Sequence, residues 1–80
     1  MKLKLLSLQQ KNVIENIEWI EINTEMGNYI IQHNHAPGIF ILAANKPLVY
    51  QVNNVQVTIA IDHGAMLEFI HNHATVLLFN

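Results

Sequence analysis

This sequence predicts an all-β fold, a small antiparallel β-sandwich of about eight to ten short strands. Three observations predict it. The β-branched residues Ile, Val and Thr, which favour strands, make up 20 of the 80 positions. Apolar and polar residues alternate in several short runs, the signature of a strand with one buried face. Turn-forming residues interrupt those runs at regular spacing, as in sandwiches and small barrels.

Residues 3–8 are the first strand, followed by the polar break Gln9-Gln10-Lys11-Asn12. Residues 13–24 read as the next strand, with no cap or stop signal to frame a helix. Within it Ile20, Ile22 and Thr24 face one way and Trp19, Glu21 and Asn23 the other. Glu25-Met26-Gly27-Asn28 is a turn, residues 29–32 a short strand, and residues 33–38 a loop carrying Pro37 and Gly38. Residues 39–43 form a strand closed by Asn45-Lys46-Pro47. Residues 48–52 and 55–61 flank Asn53-Asn54, two residues that tolerate positive φ, so a tight hairpin is expected. Asp62-His63-Gly64 is a turn, and residues 66–70 and 75–79 make a last hairpin around His71-Asn72-His73. No repeat or linker divides the chain, so residues 1–80 are expected to be a single domain.

Composition removes several functions. The chain is 51% hydrophobic and 12% charged, against about 25% charged in ordinary domains, which argues against disorder. A chain this short cannot hide all its apolar side chains, so a surface patch for a partner is expected. Four lysines, no arginine and a net charge of −2 disfavour nucleic acid and rule out an arginine phosphate clamp. Without cysteine there is no disulfide, thiolate nucleophile or Cys-based zinc site. The longest apolar run, residues 39–44, is far short of the ~20 residues of a membrane helix. The start lacks the long apolar segment of a signal peptide, so a cytoplasmic chain is expected.

The chemistry-bearing residues are few. His33-Asn34-His35 and His71-Asn72-His73 are His-x-His pairs, which on a strand place both imidazoles on one face. Gly27 followed by His33 and His35 resembles the first half of a cupin signature, which makes a His33/His35 metal site the alternative reading. Ile39 and Phe40 stand where that signature needs a glutamate, and its second half has no counterpart before His71. Ser7 lies in an apolar strand and has no nucleophile elbow around it. Glu15, Glu18 and Glu21 read as solvated or edge-protecting carboxylates, and Trp19 as a packing residue. Gly27, Gly38 and Gly64 are isolated, so no phosphate loop is present.

Two segments together carry a family resemblance. One is Gly27-Asn28-Tyr29-Ile30-Ile31-Gln32-His33-Asn34-His35-Ala36-Pro37. The other is Gly64-Ala65-Met66-Leu67-Glu68-Phe69, followed by Ala74-Thr75-Val76-Leu77-Leu78. In order and spacing they resemble the epsilon subunit of F-type ATP synthase (delta in mitochondria), with its His-Ala-Pro and Gly-Gly-x-Leu-Glu elements. Three departures stand out. His33-Asn34 replaces the family's Pro-Gly, Ala65 its second glycine, and Asn28 a common carboxylate. Typical members continue into a helical hairpin, which this chain is expected to lack, together with inhibition through that hairpin.

The resemblance implies a flattened antiparallel sandwich with a mechanical, non-catalytic role and no cofactor. It places the chain at the foot of the central stalk, coupling ion translocation to ATP synthesis on the cytoplasmic face of the inner (plasma) membrane. Its partners are then the gamma subunit and the c-ring. Ser7, His35, Ala36 and Pro37 resemble positions near gamma. Glu25, Met26, Gly27 and Asn28 resemble the loop that meets the c-ring.

Overall fold

The computed structural model describes residues 1–79. The strands are β1 (Lys2–Leu6), β2 (Lys11–Ile14), β3 (Ile17–Thr24), β4 (Gly27–Ile31), β5 (Gly38–Leu42), β6 (Leu48–Val52), β7 (Val55–Ile59), β8 (Ala65–Ile70) and β9 (His73–Leu78). They form a five-stranded sheet in the order β2-β1-β9-β8-β5 and a four-stranded sheet in the order β4-β3-β6-β7. The all-β sandwich is therefore as the sequence predicts, with nine strands among the described residues.

One pairing departs from the antiparallel expectation. β1 and β9 run parallel, with Lys2 opposite His73 and Leu6 opposite Leu77. The first and last strands start at the same end of the sheet, where the Lys2 amide donates to the Asn72 carbonyl at 3.0 Å. A parallel pair needs a long crossover between its strands, and here nearly the whole chain supplies it.

The run 13–24 is two strands, not one. Asn16 breaks it in the left-handed region (φ 61°), and the chain passes from the five-stranded sheet at Ile14 to the four-stranded sheet at Ile17. Asparagine reaches positive φ more readily than other residues with a Cβ. Asn34, Asn45, Asn53, Asn54 and Asn72 share this conformation, as does His71. Asn53-Asn54 and His71-Asn72 are thus two-residue hairpin turns with both central φ positive, whose twist matches that of the strands.

Alternation builds the core. Leu3, Leu5, Leu67, Phe69, Ala74 and Val76 point inward from the five-stranded sheet. Ile17, Ile20, Ile22, Ile31, Leu48 and Tyr50 meet them from the other. All belong to one buried cluster.

The outward faces of the two sheets differ. On the four-stranded sheet Glu21, Asn23 and Asn28 lie together, with the Asn28 Nδ2 donating to Glu21 Oε2 at 3.0 Å and to Asn23 Oδ1 at 3.1 Å. Nearby, Gln51 Nε2 donates to Glu18 Oε2 at 2.8 Å and the Asn54 amide to Glu18 Oε1 at 3.2 Å. The Gln51 bond first, then the Asn54 amide, holds the Glu18 carboxyl below the usual carboxylate range.

Phe69→Ala is expected to lower stability by about 3–5 kcal/mol in urea unfolding, whereas Ile39→Ser on the outer face stays within about 0.5 kcal/mol. A depressed carboxyl stabilises the fold above its unfolded pKa and loses that contribution as pH falls through the folded value. In Gln51→Leu the Glu18 titration, followed by carboxyl NMR, is expected to move upward, and an unmoved titration contradicts the assignment.

Candidate functional site

The sequence-predicted site residues fall at opposite ends of the sandwich. β1, β9 and β5 all run in one direction, from the end that carries the 32–37 connection to the end that carries Ser7. The tip of the β3–β4 hairpin also lies at the Ser7 end, where the Ala43 amide, just past β5, donates to the Asn23 carbonyl at 2.9 Å. Ser7 and the Glu25–Asn28 turn therefore share one end, and His33, His35, Ala36 and Pro37 occupy the other.

Ser7 is not a strand residue. It follows β1, and its Oγ accepts from the amides of Gln9 (3.3 Å) and Gln10 (3.1 Å) while its own amide donates to the Gln10 carbonyl at 2.9 Å. A hydroxyl folded onto the backbone this way shapes a turn. The first strand stops at Leu6 because Ser7 offers its neighbours' amides this local partner.

The β3–β4 turn is organised by Thr24, a buried hydroxyl that accepts from the Met26 amide and donates to the Gly27 carbonyl, both at 3.1 Å. Gly27 has φ 130°, a conformation that side chains rarely adopt. This compact turn leaves Met26 86% exposed at its tip. Behind it Met26, Tyr29, Ile39 and Ile41 line an apolar groove of about 420 Å³ between the open edges β4 and β5.

At the other end His35, itself exposed, lies against two aromatic side chains. Its ring meets Phe69 edge-on (5.9 Å, 89°) and Phe40 (6.1 Å, 62°), and Nδ1 lies 2.7 Å from the Ala36 carbonyl. The loop is also tied to the β8–β9 turn. The Asn34 amide donates to Asn72 Oδ1 at 2.7 Å, and Asn72 Nδ2 donates to Asn34 Oδ1 at 3.2 Å. Asn34 thus ties this loop to the turn between the last two strands.

The same geometry corrects the metal alternative. Residues 33–35 lie in a loop, and φ 62° at Asn34 breaks the i, i+2 alternation that would aim His33 and His35 at one ion. Among the described residues no group of three or more His, Cys, Asp or Glu is placed to hold a metal.

An apolar row that element-by-element reading missed crosses the five-stranded sheet near the Ser7 end. Cross-strand partners share a face, and on the outer side of the five-stranded sheet Ile41, Met66, Leu77 and Leu6 fall in register across β5, β8, β9 and β1. Ile39 (65% exposed), Ile41 (59%), Leu77 (44%) and Ile70 (43%) stand in solvent there. The signal was present in Ile39-Phe40-Ile41-Leu42, an apolar run without alternation, which makes a strand apolar on both faces. The outer face of the four-stranded sheet mixes hydrogen-bonded amides and carboxylates with single apolar side chains such as Ile30 and Val49.

This arrangement provides two surfaces for contact, an apolar row across the outer side of the five-stranded sheet and the hairpin tip at the same end. A family model for the ATP synthase Delta/Epsilon chain beta-sandwich domain matches residues 1–79. No curated protein matches the chain. Among solved structures, a chain from the cryo-EM structure of the Tetrahymena thermophila mitochondrial ATP synthase central stalk/c-ring superposes with a TM-score of 0.80 at 16% identity. The match covers 100% of this chain and 63% of that one, so this chain spans less than two thirds of its length. At that identity the likeness is one of fold, while the family match extends over nearly every residue. The chain belongs to the beta-sandwich domain family of the ATP synthase delta/epsilon chain.

Proposed function

We propose that this chain is a non-catalytic rotor component of the central stalk of an F-type ATP synthase, where it couples ion translocation to ATP synthesis by docking on gamma and on the c-ring. The observation that carries this reading is the apolar row Ile41–Met66–Leu77–Leu6 on the outer face of the five-stranded sheet. A rotor element must stay docked under torque. Buried apolar area does that better than exposed ion pairs, each worth about 1 kcal/mol or less.

Ser7 and His35 lie diagonally across this sheet, so a gamma surface meeting both crosses it from the end of β1 to the start of β5. The sheet measures about 19 Å across its five strands and about 17 Å along them. Ala36 and Pro37 extend the contact at the His35 end. Glu25, Met26, Gly27 and Asn28 form the c-ring contact, with the apolar Met26 exposed at its tip. The placement on the cytoplasmic face of the plasma (inner) membrane follows from attachment to the complex.

Isolated chain and purified gamma subunit are expected to form a 1:1 complex at micromolar concentration. Ile41→Glu combined with Leu77→Glu is expected to weaken it at least about tenfold, because each charge is buried against apolar surface. Thr58→Glu on the four-stranded sheet leaves it intact, with circular dichroism confirming the fold of each variant. A chain that ignores gamma at these concentrations contradicts the proposal.

A further inference from the structure

Three of the chain's four lysines converge on one place. Lys2 and Lys4 alternate on β1 with the buried Leu3 and Leu5, so both point outward. Lys11 on β2 is the cross-strand partner of Leu6, which shares that outer face. The three side chains, with Val13, His73 and Thr75, line one groove of about 390 Å³ that contains no carboxylate.

The acidic residues lie elsewhere. Glu18 and Glu21 belong to the four-stranded sheet, Glu25 to the hairpin tip, and Asp62 to the turn before β8. Glu15 sits beside Lys2 in a neighbouring groove, and Glu68 is separated from Lys4 by the whole of β9. A chain of net charge −2 thus turns a cationic corner outward on the face that carries its apolar row.

We infer that Lys2, Lys4 and Lys11 are the charged rim of the docking face and pair with an acidic strip on the protein partner that covers the apolar row. The inference rests on the docking reading above and adds the charge that the partner must present. An apolar centre with a charged edge is the anatomy of a protein interface. A membrane is the poorer fit, since lipid-binding clusters gather about four to eight basic residues. The rim's effect falls mainly on the encounter rate, because exposed charges steer association and are screened by salt.

Association of purified gamma with the chain is measured by stopped flow between about 50 and 300 mM NaCl, a range over which the Debye length falls from about 14 to 6 Å. Wild-type association is expected to slow about tenfold over that range. K4Q/K11Q flattens the salt dependence, K4E/K11E slows low-salt association further, and dissociation rates change less than about threefold. Lys11 is exposed and Lys4 half-exposed, and K4Q/K11Q, which keeps both stems, carries the test if charge reversal unfolds the chain. Unchanged association rates in the variants, with binding retained, overturn the rim and leave the docking reading standing. Absence of wild-type binding overturns the docking reading itself. Lysine-dependent sedimentation of the chain with phosphatidylglycerol vesicles overturns the protein assignment in favour of lipid.

Discussion

The pairing of the first strand with the last is the constraint on which the rest of this structure depends. β9 lies at the centre of the five-stranded sheet, between β1 and β8. Without β1 beside it, Leu3 and Leu5 lose their buried places opposite Ala74 and Val76, and β2 has nothing to pair with. The tie also reaches the second sheet, because the amino terminus donates to the Ile17 carbonyl at 3.0 Å, at the start of β3. So non-local a contact costs loop-closure entropy before it contributes any stability, and that favours slow, cooperative folding.

That sheet also generates the functional asymmetry of the molecule. Both sheets bury one face in the shared core, so function rests on what each turns outward. On the four-stranded sheet amides and carboxylates satisfy one another around the apolar positions Ile30 and Val49. The five-stranded sheet places isoleucine, methionine and leucine in register, with lysines at one corner. Exposed apolar side chains also stand elsewhere, as at Ile30 and Val55, but on the five-stranded sheet they fall in register across four strands, the pattern that marks an interaction surface.

Local chemistry was legible in the sequence, and long-range geometry was not. The hairpin across Asn53-Asn54 and the inward set Ile20, Ile22 and Thr24 follow from turn preference and a period of two, and the structure has both. The break at Asn16 escaped because Val13-Ile14 and Ile17 keep up the apolar content on either side of Glu15-Asn16, and a single left-handed residue leaves no mark on the pattern. Ser7 read as a strand residue because its local hydrogen bonds are a property of the folded turn. The loop carrying His33 and His35 was legible from Pro37 and Gly38, and its turn at Asn34 (φ 62°) was not. The Asn34–Asn72 amide pair and the lysine groove join residues far apart in sequence, with no local signal to announce either.

The central claim is that the outer face of the five-stranded sheet is the one that a stalk partner covers. Methyl-labelled chain titrated with purified gamma subunit tests it most directly by NMR. The account predicts shifted or broadened methyl signals for Ile39, Ile41, Met66, Ile70 and Leu77, with Val49 and Ile30 on the four-stranded sheet unmoved. Perturbation of Val49 and Ile30, with the five-stranded face unchanged, would contradict it.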